Sequence, residues 1–325
     1  MASFLTRRLV IALLVAFTVS VVGFALLRLS GDLASVLAGE DASAEDIARI
    51  ARQYGLDRPF YVQYFDWLSG ALSGDLGQSL FTHEPVWEMI VTRLPVTATL
   101  AFVSLFVGLI IAIPLGVLAA VKANTWADRS ALFVAVMGQA TPSFWFALIL
   151  IYVFGVWWRQ ASVFGVKLAE IKIFGMQLSG MPISGGATWL HYVLPVVTLA
   201  TFVMPAIMRI TRTGMMEVLA SDYVRTARAK GLGTGKVLFK HALRNAILPV
   251  VSLAAVQLGF LLSGSVIVES IFALNGVGYL AFQSIVRIDF PVVQSILVFL
   301  ACTYILLTLI ADLINARLDP RVRLE

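Results

Sequence analysis

The amino-acid sequence predicts an all-α integral membrane protein with six transmembrane helices and both termini in the cytoplasm. Hydrophobic residues make up 59% of the 325 residues and charged residues only 13%, far from the composition of a soluble domain. Six apolar stretches reach the length of about 20 residues that a helix needs to cross a bilayer. Lysine and arginine are concentrated on one side of these stretches, which sets the orientation.

The six predicted spans are long enough for helices and too long for strands of a membrane barrel. They cover residues 9–27, 96–121, 131–158, 190–210, 246–268 and 292–314. Each must be helical, because backbone amides cannot remain unpaired in lipid, and the alternating ten-residue segments of a barrel are absent from the sequence. The first apolar run exceeds the roughly 7 to 15 residues of a signal-peptide core, so we predict a retained helix.

The orientation follows from the basic residues of the connecting segments. With the N-terminus inside, the cytoplasmic segments contain fourteen lysines and arginines, whereas the two short outside loops contain four. This asymmetry is the usual mark of cytoplasmic loops. It also explains the positive net charge. We predict no nucleic-acid binding, because the basic residues are spread over four segments without interleaved aromatic residues.

The long segment 28–94 between the first two spans has a different composition. It contains ten acidic and five basic residues, which predicts a small extracytoplasmic subdomain. Ser43 followed by Asp46 resembles a capping box and predicts the start of a short helix, and Gly55 predicts its end. The subdomain either caps the outer mouth of the protein or contacts a soluble delivery protein.

The rest of this outer segment predicts further local structure. A second helix is expected over residues 60–72, with Val62, Phe65 and Leu68 on one side. The glycines of residues 74–79 predict a tight turn. A separate amphipathic segment over residues 84–94 is then expected to lead into the second span.

Motifs that would indicate catalysis fail on inspection. Residues 231–236 read Gly-Leu-Gly-Thr-Gly-Lys, but Val237 stands where a phosphate-binding loop needs Ser or Thr. The predicted topology places His191 and His241 on opposite sides of the membrane, so these residues and His83 cannot form one metal site. We therefore predict no catalytic residue, no bound cofactor and no metal.

Transport is the remaining interpretation, with energy supplied from outside the chain. Ionisable groups within the spans are few, and Glu269 and Asp312 are expected near span ends. An ion-coupled carrier would also be expected to have interrupted helices at matching positions of two repeats, and the sequence shows no such interruption. The basic hairpin, residues 209–249, is the best candidate for contact with a motor. A helix is predicted over 216–230 and ends at Gly231.

The basic hairpin resembles the cytoplasmic coupling loop of ABC importer permeases, in particular the dipeptide/oligopeptide/nickel branch. The matching segments are Asp-Tyr-Val-Arg-Thr-Ala-Arg-Ala-Lys-Gly-Leu at 222–232 and His-Ala-Leu-Arg-Asn-Ala-Ile-Leu-Pro at 241–249. Further similar segments occur at 74–79, 141–145, 291–294 and 318–321. The general permease signature has Glu and Ala where this chain has Arg225 and Thr226, and the peptide branch shares these replacements. At 275–278 the chain has Asn-Gly-Val-Gly where the branch usually has Pro-Gly-Leu-Gly.

The resemblance implies the permease fold of a type I ABC importer in a bacterial inner membrane. The implied protein is half of a pathway for short peptides, driven by separate ATPase subunits. The implied partners are a second homologous permease, two cytoplasmic ATP-binding subunits, an extracytoplasmic substrate-binding protein and membrane lipid. The residues expected to contact the ATPase are Glu217, Asp222, Tyr223, Arg225, Thr226, Ala227, Arg228, Lys230 and Gly231.

The sequence predicts four regions along the chain and leaves several functions open. The expected regions are a tail and first helix (1–29, helix 9–29), an outer subdomain (30–94), a permease core (95–315) with a coupling loop (211–245), and a cytoplasmic tail (316–325). Polar span residues that could line the pathway are Gln139, Thr141, Ser143, Gln257, Ser263 and Glu269. The alternatives are import of nickel or another small solute, a secondary carrier or channel, and a membrane anchor or receptor.

Overall fold

The computed structural model describes residues 2–29, 33–39, 41–160, 162–163, 166–167, 172–173, 176–177, 182–186 and 188–318. Within these residues the chain is helical apart from connections and two small β-hairpins. The described residues fall into two compact units. The first unit comes from 1–95 and 279–305, and the second from 96–278 and 306–325.

The first unit begins with a long apolar helix and three shorter helices. These are α1 (Ala2–Leu29), α2 (Leu33–Ala38), α3 (Ala44–Gln53) and α4 (Phe60–Leu72). Helix α4 packs on α1 through aromatic rings, since the centroid of Phe24 lies 5.0 Å from that of Phe60 and 5.5 Å from that of Tyr64, both edge-on. The hydroxyls of Ser20 and Tyr64 are 2.8 Å apart and share a hydrogen bond. This contact satisfies the polar end of a buried tyrosine.

The packing face of α4 differs from the prediction. Phe65, which belongs to the apolar side predicted from the sequence, is 60% exposed, whereas Tyr64 is only 6% exposed. The aromatic rings at positions 60, 64 and 67 recur at helical spacing and contact α1 together. Tyr64 and its neighbouring rings therefore form the contact of α4 with α1.

The predicted ends of α3 are confirmed. The amide of Asp46 donates to Ser43 Oγ at 3.2 Å, and the Ser43 hydroxyl donates to the Asp46 carboxylate at 2.7 Å. The hydrogen bond from the Ser43 side chain lowers the pKa of the Asp46 carboxyl. Gly55 adopts a φ of 64° just after the helix, a conformation that glycine accepts without strain. No residue of α3 is buried, so the caps are the main local source of its stability.

A buried aspartate connects two segments that are far apart in the sequence. The predicted turn over 74–79 is present, with positive φ at Gly74 and Gly77. Ser79 Oγ donates to Asp289 Oδ2 at 2.5 Å, and the amide of Leu80 donates to Asp289 Oδ1 at 3.2 Å. Asp289 directly precedes the last long helix, so the turn is held to the start of that helix.

The remaining elements complete both units. They are α5 (Val86–Val121), α6 (Trp126–Ala140), α7 (Ser143–Ile151), a π-helical turn (Tyr152–Trp157), α8 (Trp158–Gln160), strands β1 (Ser162–Val163), β2 (Val166–Lys167), β3 (Lys172–Ile173) and β4 (Met176–Gln177), a 3₁₀ turn (Trp189–Tyr192), α9 (Val193–Leu219), α10 (Asp222–Ala229), α11 (Thr234–Lys236), a second π-helical turn (Val237–Ala242), α12 (Leu243–Ala246), α13 (Leu248–Gly264), α14 (Val266–Ile271), α15 (Val277–Val286) and α16 (Phe290–Leu318). Strands β1 and β2 form one antiparallel hairpin, and β3 and β4 form another. Residues 96–121 of α5 and helix α9 supply much of the second unit's apolar core.

Helices α5 and α9 approach each other closely at two glycines. A Cβ added at Gly108 would lie 2.8 Å from Val203 Cγ2, and one added at Gly116 would lie 2.7 Å from the carbonyl oxygen of Met208. The two glycines are eight residues apart, which places them about 80° apart around α5 and within one broad face. Small residues at such contacts allow helices in membranes to pack backbone against backbone.

The number of straight spans is smaller than the sequence predicts. Among the described residues, four helices are long and apolar enough to cross a membrane, and two further candidates are pairs of helices bent by 95° and 54°. The prediction of one straight helix over 131–158 is wrong, because Thr141 is extended before Pro142 and the chain turns there. The span predicted over 246–268 corresponds mainly to α13, and the bend of 54° lies at Ile247, where α13 follows the returning arm of the basic hairpin. No interruption was expected within 131–158, and this expectation was wrong.

Residues 84–94 do not form a separate element. They are largely the first turns of α5, which continues through Pro95 to a total length of 36 residues. Proline removes one backbone donor, but membrane helices tolerate this loss when the adjoining turns remain bonded.

Candidate coupling site

The basic hairpin contains a short helix separated from the long helix before it. Helix α9 ends at Leu219, and α10 starts at Asp222 after Ser221, whose backbone is extended. The Ser221 hydroxyl donates to the carbonyl oxygen of Val218 at 2.5 Å. Serine side chains compete in this way for backbone groups and favour helix starts over helix interiors. The predicted continuous helix over 216–230 is therefore wrong, although its end at Gly231 is confirmed.

Helix α10 is anchored by an apolar seam. Val224 is 0% exposed and Ala227 is 7% exposed, and both pack with Val237 from the returning arm of the basic hairpin. Val218 and Leu219 at the end of α9 contact the same cluster. Burial of these apolar side chains fixes α10 to both arms. Ala227 was predicted to contact a partner, but the structure places it inside this seam.

The other predicted contact residues form the outer surface of the basic hairpin. The exposed members are Glu217, Asp222, Tyr223, Arg225, Thr226, Arg228, Lys230 and Gly231. Gly231 has a φ of 76°, and the next amide, that of Leu232, donates to the carbonyl oxygen of Ala227 at 3.3 Å. The glycine thus closes the helix in a left-handed turn that other residues rarely adopt. The Asp222–Arg225 ion pair is 3.4 Å long and well exposed, so it contributes little stability.

The returning arm adds residues to this surface that the sequence reasoning missed. Asn245 Nδ2 donates to the hydroxyl of Tyr223 at 2.8 Å and thereby joins the two arms. Phe239 is 66% exposed, and Lys240 and Arg244 are exposed beside it in the sequence. Asn245 and Arg244 lie in the segment 241–249, which is similar to the permease branch. That similarity was the signal in the sequence that could have identified them. A large exposed aromatic among cations is typical of a protein contact surface.

A buried ion pair near the base of the basic hairpin was also missed. Arg212 Nε donates to Asp128 Oδ1 at 2.7 Å, and Arg212 Nη2 donates to Asp128 Oδ2 at 2.8 Å. The amide of Asn124 donates to Asp128 Oδ2 at 2.9 Å. This two-pronged geometry is the strong form of an arginine–carboxylate pair. The pair fixes the start of α6 to α9, ten residues before α10 begins. No motif joined the two residues in the sequence, where they are 84 positions apart.

The predicted pathway residues are scattered. Thr141 and Ser143 line a small cavity together with Thr198 and Thr201. The Thr141 hydroxyl donates to the carbonyl oxygen of Met137 at 2.7 Å, within the chain's own backbone. Ser263 Oγ similarly donates to the carbonyl oxygen of Gly259 at 3.0 Å. Gln139 is exposed and Gln257 is half-buried, and neither lines this small cavity.

Glu269 lies in a buried network rather than on an exposed wall. It is 0% exposed, and its Oε1 atom accepts hydrogen bonds from Thr97 Oγ1 at 2.9 Å and from Ser265 Oγ at 2.7 Å. Thr97 Oγ1 also accepts from the amide of Val277 at 2.8 Å. The carboxylate thereby fixes the turn after α14 to α5. It is a positioning residue in this structure.

Glycine is required where this turn passes the carboxylate. A Cβ added at Gly276 would lie 2.3 Å from Glu269 Oε2 and 2.6 Å from Thr97 Oγ1. One added at Gly278 would lie 2.8 Å from the Cα atom of Val266. Both glycines belong to the 275–278 segment, in which the sequence departs from the branch pattern only at Asn275 and Val277.

Two family models match nearly the whole chain. A model described as binding-protein-dependent transport system inner membrane component matches residues 112–324. A model described as the N-terminal part of such membrane components matches residues 1–101.

Curated relatives match end to end. The chain is 36% identical over 324 residues to the glutathione transport system permease protein GsiC of Escherichia coli strain K12, with 99% of each chain covered. It is 35% identical over 332 residues to the dipeptide transport system permease protein DppB of Alkalihalophilus pseudofirmus, with 99% of this chain and 100% of that protein covered.

A solved structure supports the fold. The chain resembles a chain of the inward-facing MetNI methionine ABC transporter with a TM-score of 0.55 and 20% identity, covering 73% of this chain and 99% of that chain. At this identity the likeness concerns the fold alone.

Proposed function

The chain belongs to the family of inner membrane components of binding-protein-dependent transport systems, and on this premise we propose that it is the permease subunit of an ATP-driven importer of short peptides. The dipeptide system permease and the glutathione system permease are both similar to it over their full lengths. Glutathione is itself a tripeptide, so the two names indicate one chemical class of cargo. They do not favour nickel.

The proposed topology has six spans with both termini in the cytoplasm of a bacterial cell. The bent pair of α6 and α7 then crosses the inner membrane once, and α13 crosses it after the bend that separates α13 from the basic hairpin. The excess of lysine and arginine in the segments assigned to the inside supports this orientation. A broken span is compatible with a membrane when its non-helical backbone is buried in protein or lines a cavity.

The proposed assembly contains a second homologous permease, two cytoplasmic ATP-binding subunits and an extracytoplasmic substrate-binding protein. ATP hydrolysis would occur on the separate subunits, and this chain would supply part of the path. The interruption within 131–158 weakens one sequence argument against an ion-coupled carrier. Family membership favours the ATP-driven system instead.

The observation that carries the coupling role is the two-sided character of α10. Val224 and Ala227 bury one side, while Arg225 and Arg228 are exposed on the other. A helix held in this way moves as a rigid body with the end of α9. When the two ATPase subunits close on ATP, α10 would move with the groove of the ATPase subunit that holds it. This movement would pass to α9 and open the path to the outside. Hydrolysis would reset the inward-facing state.

Among the pathway candidates, Gln139 is proposed as a wall contact because its side chain is exposed. Thr141 and Ser143 are proposed as wall contacts only in a conformation that widens their small cavity. Glu269 is proposed to act through the turn that it holds.

Reconstituted transport tests this function. Proteoliposomes that contain the chain with its co-expressed partner subunits and binding protein should take up a radiolabelled dipeptide only with ATP inside. The chain alone should take up none. Uptake by the chain alone, or uptake driven by an ion gradient without ATP, would contradict the proposal.

A further inference from the structure

An apolar cavity of about 390 Å³ lies within the first compact unit. Its walls come from α1, α4 and α16, with Ala16, Ala71 and Phe299 as representative residues of the three helices, and Leu76 and Trp87 complete the lining. The volume falls within the range of about 300 to 1,000 Å³ that is usual for small-molecule sites. The proposed coupling role of the chain makes no use of this space.

The side chains that line the cavity favour a hydrocarbon as its ligand. Among the described residues that line the cavity none is charged, and the polar groups are two hydroxyls, one thiol and two indole nitrogens. The Ser20 hydroxyl shares its hydrogen bond with Tyr64, and Ser295 Oγ donates to the carbonyl oxygen of Leu76 at 3.3 Å. Among the described lining residues, Trp67 Nε1 is a buried donor without a hydrogen-bond partner, and one indole donor would not compensate a charged or strongly polar ligand for its lost hydration.

The shape of the cavity fits a chain of methylene groups. Its lining runs from Leu13 to Ser20 along α1 and from Ser295 to Cys302 along α16. Each stretch covers seven helical steps, which corresponds to about 10 Å along the helix axis. The space therefore extends along the helices, as an acyl chain in a bilayer does.

In a membrane, lipid acyl chains would surround the helices that form the cavity. Both Thr6–Leu29 and Phe290–Ile314 are candidate membrane spans, with only 17% and 11% of their apolar windows buried. Leu13 and Phe17 on the cavity rim are 68% and 53% exposed. Side chains of this kind on a span face lipid. A void left empty would also forfeit the dispersion contacts of its walls.

We propose that this cavity binds one acyl chain of a membrane phospholipid, and that the bound chain fastens α4 to α1 and α16. The inference requires only that the protein lies in a membrane. It does not depend on the cargo or on the ATPase partners.

Photochemical labelling tests the proposal on the full-length chain with any subunits that co-purify. The protein is placed in nanodiscs of phosphatidylcholine that include an analogue with a diazirine in the middle of one acyl chain. Adducts are then mapped by mass spectrometry, before and shortly after mixing with excess unlabelled lipid. Adducts within residues 13–20, 67–76 and 295–302 should survive the mixing. Adducts on exposed side chains elsewhere, such as Phe102 and Phe106 of α5, should be diluted away.

Two cavity-filling variants and a matched control sharpen the test. Ala16→Phe and Ala71→Phe place a ring in the cavity from different helices and should each lower cavity labelling several-fold. Ala12→Phe adds the same ring one turn away, outside the lining, and should leave labelling unchanged. Gel filtration and the labelling of α5 show whether each variant is folded. The dilution with unlabelled lipid is measured on the original chain, so it does not depend on the folding of any variant. The proposal is overturned if cavity adducts dilute as fast as those on α5, if no lipid adduct forms at the cavity residues, or if both filled variants label like the original chain.

Discussion

The basic hairpin around α10 and the turn around Glu269 both belong to the second unit, and they place their charges in opposite ways. Helix α10 buries Val224 and exposes Arg225 and Arg228. The turn after α14 buries its carboxylate and passes glycine backbone against it. Exposed charges are free to meet a partner, whereas a buried and bonded charge fixes the chain itself. The comparison predicts that changes near Glu269 mainly affect stability and that changes on α10 mainly affect coupling.

The largest expected loss of stability comes from Gly276→Ala. The new methyl group would lie within 2.6 Å of both Glu269 Oε2 and Thr97 Oγ1, so the network must shift or break. We expect a loss of about 3 kcal/mol in the free energy of unfolding, the upper part of the usual overpacking range. Thermal unfolding in detergent measures it. Gly233→Ala is the matched control, since a Cβ there meets no atom within 4 Å. Equal midpoints for the two variants would contradict the assignment of Glu269 as an internal lock.

A smaller loss is expected for Asp128→Asn, which tests the buried ion pair on the hairpin side of the unit. The substitution removes the negative charge and replaces one of the two oxygens that accept from Arg212 by an amide donor, while the Arg212 side chain is only 20% exposed. Leaving a largely buried arginine unpaired should cost about 2 kcal/mol, below the value for full burial. The same unfolding assay applies, with Asp222→Asn as the control because that side chain is 95% exposed. A shift for the control as large as that for Asp128→Asn would refute the distinction.

The apolar seam that holds α10 should contribute less to the free energy of unfolding than the Asp128–Arg212 ion pair. Val224→Ala removes two carbon atoms from a fully buried side chain and should cost about 1.5 kcal/mol at roughly 0.8 kcal/mol for each. It should also weaken ATP-driven uptake, because α10 would no longer move rigidly with α9. Thr226→Ala on the exposed side is the control for the unfolding midpoint. Unchanged uptake at a lowered unfolding midpoint would show that the seam serves stability alone.

The smallest change in stability should come from the double substitution Arg225→Ala and Arg228→Ala. Both side chains are exposed, so the free energy of unfolding should move by less than about 0.5 kcal/mol. ATP-driven uptake should nevertheless fall several-fold if the two arginines meet the ATPase. The paired readout is the unfolding midpoint and the uptake rate of the same preparation. Full uptake would remove the arginines from the docking surface.

The contrast between the two regions also shows what the sequence could predict. Local signals were reliable, since Ser43 and Gly55 cap α3 and Gly231 ends α10 as expected. Composition predicted a helical membrane protein because spans in lipid must satisfy their own backbone. The quoted segments of the basic hairpin predicted the family, which the comparisons confirm.

The predictions that did not hold concern features that depend on the surrounding three-dimensional structure. The bend after Thr141 depends on a proline whose effect on a membrane helix ranges from tolerance, as at Pro95, to a turn of 95°. Glu269 was considered as a cargo contact because partners such as Thr97 are 172 residues away in the sequence. Ala227 was assigned to the ATPase contact through the family resemblance, yet it is buried beside exposed neighbours because one helical step turns a residue by about 100°. A single sequence does not specify these distant pairings.

The most direct measurement compares neighbouring positions of α10 for contact with an ATPase subunit. In a Cys302→Ser background, which removes the chain's one cysteine, Thr226→Cys and Ala227→Cys are each treated with a short thiol cross-linker in the assembled transporter. The account predicts a cross-link to the ATP-binding subunit from exposed position 226 and little or none from buried position 227. A cross-link from 227 alone, or none from either position in an active transporter, would contradict docking through the outer surface of α10.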